Sequence, residues 1–194
     1  MKLPKLHMEM KTKTAAERSY DTSYKRNYAE IIYLVIHGTA NDGDSDEGNS
    51  NYFSPEGSNG NYAGAHLFVD DDSCTKSVPL NRTAYAVGGG VYSGSRETGG
   101  ASFYQRCTNA NSISIELCDT MKDGIFDISN KTFENAVELA AYYALKYKIP
   151  KTRIIRHWDV NGKPCPSCMI GKDNALWTRF LEEVFELMDQ CKSL

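Results

Sequence analysis

The chain has 194 residues, 41% of them hydrophobic, enough to bury one core without disulfide staples. A net charge of −3 gives no bulk attraction to nucleic acid or to a membrane surface. The opening segment, Met1 to Tyr20, lacks the apolar core of a secretion signal, and no run approaches the ~18 apolar residues of a spanning helix.

Residues 1–28 are polar and Lys-rich, and read as an extended arm or irregular cap. "IIYLVIHGT", Ile31 to Thr39, is a continuous apolar run that suits a buried central strand, with a polar residue, His37, at its end. The Gly-, Ser-, Asn- and Asp-rich stretch from Asn41 to Tyr62 predicts a long surface loop with one helical turn. "AHLFVDDD" and "KSVPL" predict strands joined by a turn, and Gly88 to Gly100 predicts a second long loop. "NSISIELCD" alternates: Ile113, Ile115 and Leu117 point one way, and Ser112, Ser114, Glu116 and Cys118 the other. Thr132 is expected to cap a helix in which Val137, Ala140, Ala141, Ala144 and Leu145 recur at helical spacing. "RIIRHW" predicts a short strand. A last helical segment opens at Asp173, with Trp177, Phe180, Leu181, Val184 and Met188 on one stripe. Strands mixed with two long helices predict a single α/β domain.

His37 and His157 each follow an apolar, strand-like run. Taken singly, each suits a hydrogen-bonded or surface role, and Cys165 alone suits an inert buried thiol. Taken together, the three fit a metal site that leaves a fourth tetrahedral position for water, as catalytic zinc requires. The stretch "RHWDVNGKPCPSC", Arg156 to Cys168, also admits a redox Cys165–Cys168 pair, or a closed structural site with Cys168 as fourth ligand. Its prolines and the nearby histidine suit a metal loop better than a redox motif. By alternation alone, Glu116 is a solvent-facing residue of a half-exposed strand. Set beside His37, His157 and Lys163-Pro164-Cys165, it becomes the candidate carboxylate for moving a proton.

Four segments, in order, resemble the type 2 (zinc-dependent) N-acetylmuramoyl-L-alanine amidases, which include phage endolysins and are related to the peptidoglycan recognition proteins. "YLVIHGTA" resembles the family's first core strand and "GAHLFVDDD" the strand after its long loop. "NSISIELCD" resembles the strand with the catalytic glutamate, and "RHWDVNGKPCPSC" the closing segment. The resemblance runs from about Ile31 to Trp177. It implies a central mixed β-sheet flanked by α-helices, zinc held by His37, His157 and Cys165, and catalysis by Glu116 and Lys163. There are departures. The chain has "AYAVGGG" where members often carry an aromatic-His-Ala-Gly stretch, and Ala65 where some relatives place a catalytic tyrosine. His66 sits where the family does not bind zinc, and is expected to be structural or a wall of the groove.

The resemblance implies hydrolysis of the amide between N-acetylmuramic acid and L-alanine in peptidoglycan, by zinc-activated water. The alternative is a non-catalytic peptidoglycan-binding module with a structural zinc. The expected layout is an N-terminal polar arm, 1–28, and a zinc amidase catalytic domain, 29–194. No separate wall-binding domain is visible, so targeting is expected to rest on that domain or the arm. The partner is expected to be peptidoglycan, with no nucleic acid and no membrane. The chain is expected to be cytoplasmic when made, with mostly free thiols among its six cysteines, and to act on the bacterial wall after release.

Overall fold

In the computed structural model, which describes residues 2–171 and 173–193, ten strands and four α-helices follow the chain in order. The polar N-terminal stretch gives β1 (Glu9–Thr12) and the two-residue β2 (Tyr20–Asp21). The apolar run gives β3 (Tyr33–Gly38), and the loop after it folds into α1 (Asp46–Phe53). A hairpin of β4 (Leu67–Val69) and β5 (Ser73–Lys76) follows, then β6 (Thr83–Ala84), which pairs with β2. The alternating stretch is β7 (Ser112–Leu117), and β8 (Thr120–Lys122) with β9 (Ile125–Asp127) makes a small separate hairpin. Then come α2 (Asn130–Lys146), β10 (Ile154–Arg156), α3 (His157–Asn161) and α4 (Ala175–Lys192).

Six strands form one mixed sheet in the order β1-β5-β4-β7-β3-β10. β4, β7, β3 and β10 run parallel, while β5 and β1 run the other way. Leu34, Val35 and Ile36 are fully buried, because β3 is central and covered on both faces. Leu34, Ile36, Ile113, Ile115 and Leu117 join α2 and α4 in the main core. Each such aliphatic side chain contributes about 1.5–3 kcal/mol on burial. Tyr33, Val35 and Ile155 share the opposite face with Val87, Cys107 and Val160. Period-two alternation therefore puts His37 and Glu116 on that second face, and they stand opposite each other in the β3–β7 register.

Several expected boundaries shift. The expected arm supplies β1, paired in parallel with β5, and buries Arg26. Met1, Lys172 and Leu194, which fall in the two predicted segments, lie outside the described residues. The second strand of the first hairpin is Ser73–Lys76, earlier than "KSVPL" implied, because the Ser73 and Thr75 hydroxyls donate to the buried Asp46 carboxylate at 3.0 and 2.7 Å. α1 has two turns where one was expected, with the Ser45 hydroxyl accepting from Gly48 N. The cap of α2 is Ser129, whose hydroxyl accepts from Thr132 N at 2.9 Å; the Thr132 hydroxyl is engaged by Asp71. "RIIRHW" is strand only to Arg156, since His157 opens α3. α4 begins at Ala175, two residues past Asp173, and buries Trp177, Phe180, Val184 and Met188, with Leu181 at the rim of the core.

Candidate metal centre

β3 and β10 lie side by side with Arg156 opposite Ile36, so the next residue of each, His37 and His157, meets the other at the carboxyl end of the strands. That end is where open α/β sheets place their sites. The two imidazoles are 4.7 Å apart, centre to centre, and tilted by 63°. The chain returns to them because α3 stops at Gly162, which holds a left-handed φ of 82°. A Cβ there would lie 2.0 Å from the Ser95 hydroxyl. Cys165 is then held by its carbonyl, which accepts from Trp158 N at 2.9 Å, and by its sulfur, which accepts from Gly38 N at 3.3 Å. Gly38 permits this approach, since a Cβ there would crowd Asp119 at 3.0 Å and Pro166 at 3.2 Å.

The donor atoms of His37, His157 and Cys165 all lie within 4.8 Å of one another, and all three residues are buried. His37 Nε2 and both ring nitrogens of His157 have no hydrogen-bond partner. Buried polar atoms are almost always satisfied, so three orphaned nitrogens converging beside a thiol fit a bound cation. Two imidazoles and a thiol are the donor types of a zinc site with room for another ligand. The electrostatics agree. Burial, reinforced by His157 and Lys163, holds His37 well below the usual imidazole range, and burial with Lys163 pushes His157 down to about 3. Both histidines are therefore neutral, the form that ligates. Burial, then Glu116, pushes Cys165 up to about 12, so its thiolate needs a cation to form.

Glu116 Oε1 sits 3.7 Å from His37 Nδ1, with 19% of the side chain still exposed. Burial first, then Asp119 and Asp44, raises its pKa to about 8 against the lowering pull of Lys163. Lys163 is exposed, with its backbone N–H donating to Asn161 Oδ1 at 3.0 Å. Two cavities open from this point. One of about 570 Å³ is lined by His157, Tyr62, Tyr92 and Gly88; one of about 850 Å³ by Glu116, Asp42, Asp44 and Phe68. Tyr85, Ala86 and Lys163 line both. The structure thus brings all five sequence-derived site residues together.

Cys168 is half-buried against the main core and outside the donor cluster, and burial raises its thiol to about 12, which gives a redox pair no activated sulfur. The cysteines are free thiols. His66 is buried away from both cavities, with Nδ1 facing Ser114 N at 3.1 Å and Nε2 facing the Arg82 carbonyl at 3.2 Å. Of its two expected roles, the structural one holds. Sequence reasoning missed three supports. Asp119 accepts from Ala40 N and Asn41 N at 3.0 and 3.1 Å and fixes the turn after His37. Asn161 ties Lys163 N to the Gly88 carbonyl. Arg156 clasps Asp159 and donates to the Met169 carbonyl at 2.7 Å, closing the loop that carries Cys165. Asn161 and Arg156 lie in the stretch that carries His157 and Cys165, the one signal that could have marked them; Asp119 reaches the His37 turn only in space.

The chain matches the N-acetylmuramoyl-L-alanine amidase family over residues 27–168, a segment that contains all five site residues. It is 31% identical over 167 residues to the N-acetylmuramoyl-L-alanine amidase CwlL of Bacillus licheniformis, covering 82% of this chain and 42% of that protein. With the N-acetylmuramoyl-L-alanine amidase BlyA of Bacillus subtilis (strain 168) it shares 34% identity over 137 residues, 69% of this chain and 35% of that one. The chain therefore spans less than half the length of these relatives. The structure of PlyL superposes with a TM-score of 0.68 at 26% identity, covering 91% of this chain and 97% of that chain. The PlyG catalytic domain gives 0.68 and 26%, covering 93% and 96%.

Proposed function

The chain belongs to the N-acetylmuramoyl-L-alanine amidase family, and on that premise we propose that it cleaves the amide between the lactyl group of N-acetylmuramic acid and L-alanine in peptidoglycan. His37, His157 and Cys165 would hold zinc, the reading favoured by three buried, unpartnered imidazole nitrogens converging beside one thiol. Bound there, zinc supplies Lewis acidity for the scissile carbonyl and for the attacking water.

The chain's own residues do the rest. Glu116, across the register from His37, takes a proton from the water and returns it to the leaving amine. Burial raises the Glu116 carboxyl above the usual carboxylate range, and the charge of a bound zinc would draw it back down, which suits both accepting and returning a proton. Lys163, on the same rim, brings positive charge to the oxygen that turns anionic as the tetrahedral centre forms. Asn161 and Asp119 hold Lys163 and the His37 turn in place. A non-catalytic binding module would need none of this proton-handling machinery, so Glu116 beside the donor cluster favours the enzyme.

The test is metal dependence of a defined product. Free amino termini should appear when purified wall is digested, vanish on chelation and return with added zinc. Release that survives complete metal removal would contradict the zinc centre.

A further inference from the structure

A net charge of −3 gives the chain no overall pull toward an anionic surface, but its charges are not evenly spread. α2 starts beside the β4–β5 turn, where the Thr132 hydroxyl donates to Asp71, and it ends at the loop that feeds β10. α4 starts beside the carboxyl end of β10, where Arg156 donates to Asn174, and it ends where Lys151 meets Asp189. Both helices thus run from the pole of the metal centre to the opposite pole, about 25 Å away along the 17 residues of α2. Asp44, Asp119 and the run Asp70–Asp72 gather around one cavity at the first pole. Lys146, Lys148, Lys151, Arg153 and Lys192 gather at the second.

We infer that this second pole docks on an anionic lipid bilayer, which leaves the metal centre facing away from the membrane. The charge is the first support. Lys151 and Lys192 share Asp189, at 2.7 and 3.8 Å, so those three side chains keep one positive charge between them. Lys146 lies over the Tyr142 and Tyr147 rings at 5.5 and 5.8 Å, and Arg153 over Tyr33 at 5.3 Å. Glu30, just before β3, offsets part of the charge, and the pole remains basic. Lys146 and Lys192 sit in the last turns of α2 and α4, where any helix favours a cation. Lys151 and Arg153 lie beyond both helices, and capping does not account for them.

The second support is what lies between the lysines. A cavity of about 350 Å³ opens there, with Leu145, Ile149 and Met188 in its floor and Lys148, Lys151 and Lys192 around it. An apolar floor under ammonium groups matches a lipid, which brings a phosphate and an acyl chain together. The third is aromatic. Tyr24 and Tyr28, 51% and 52% exposed, precede β3 at the same pole, and Tyr28 packs on Tyr147 with ring centres 5.4 Å apart. Tyrosine rings settle at the boundary between lipid and water. A soluble polyanion would use the lysines and gain nothing from the cavity or the tyrosines, so the bilayer is the better occupant.

The test is co-sedimentation of the zinc-loaded chain with vesicles of equal parts phosphatidylglycerol and phosphatidylcholine. The chain should bind these and bind pure phosphatidylcholine vesicles far more weakly. One lysine near an anionic surface contributes roughly fivefold, so Lys146→Gln combined with Lys148→Gln should weaken binding about 25-fold. Lys131→Gln, at the other end of α2, should leave it unchanged. Tyr28→Ser should weaken binding at low and high salt alike, a loss that screened charge alone would not give. No binding to the mixed vesicles, equal binding to the neutral ones, or full affinity in the double-lysine variant would overturn the proposal. Loss in Lys131→Gln or an unaffected Tyr28→Ser would do the same, and affinity for polyphosphate in place of vesicles would assign the pole to a soluble polyanion. Cleavage plays no part in the readout, so the result stands apart from the amidase reading.

Discussion

Cys165 and Cys168 stand three positions apart, yet the structure separates their duties. Cys165 sulfur meets the two histidines, and Cys168 packs against the main core. Cys165→Ser should release zinc, because a neutral hydroxyl is a far poorer ligand than a thiolate, while Cys168→Ser should retain it. Equal metal loss from both, measured by atomic absorption, would point to a site closed by four ligands. Glu116 admits an equally sharp test. Glu116→Gln keeps the shape and removes the proton acceptor, so it should bind zinc normally while turnover falls roughly 10²–10⁴-fold. Turnover within a few-fold of the parent would assign the proton transfer to another group.

Among the elements, α3 and its exit bring His157 and Cys165 together. Gly162→Ala would strain a left-handed position at a cost of roughly 1–2 kcal/mol and drive a methyl group into buried Ser95. The variant should melt earlier and hold zinc less tightly, whereas Gly60→Ala, with open space around its Cβ, should do neither. Unchanged melting and zinc content in Gly162→Ala would detach the turn from the site. The strands that carry His37 and Glu116 were legible in the sequence because β3 and β7 are central. Burial on both faces writes an apolar run into one, and strict alternation marks the other. His37 stood out as a polar residue ending an apolar run, whereas Glu116 fitted its strand's alternation and gained meaning only beside His37, His157 and Lys163-Pro164-Cys165. β1 was not legible, since Glu9–Thr12 is a polar edge strand whose partner, β5, lies far along the chain. β5 was displaced for a related reason: Ser73 and Thr75 are buried by bonds to Asp46, a partner no local pattern announces. Ser129 and Thr132 offered α2 two hydroxyl caps, and the choice fell to Asp71, on the β4–β5 turn.

Across the whole molecule, His66 joins the N-terminal segment to the sheet, packed between Arg26 and the backbone of β7. Burial, then the Arg26 charge, lowers its pKa from 6.5 to about 3. Between those values the unfolded chain binds a proton that the folded chain refuses, so stability falls as pH drops, at up to ~1.4 kcal/mol per pH unit. His66→Gln should flatten the fall of stability between pH 6.5 and 3 relative to the parent, with His37 and His157 titrating alike in both. Parallel curves from denaturant unfolding at stepped pH would show that His66 is not held neutral. The joined segments, the sheet and the site serve one proposed reaction, and its products identify it. Mass spectrometry of purified wall digested by the zinc-loaded chain should find stem peptides with free L-alanine amino termini and glycan whose lactyl groups end in carboxylate. New reducing sugar ends, or peptides cut elsewhere while the lactyl amide stays intact, would contradict it.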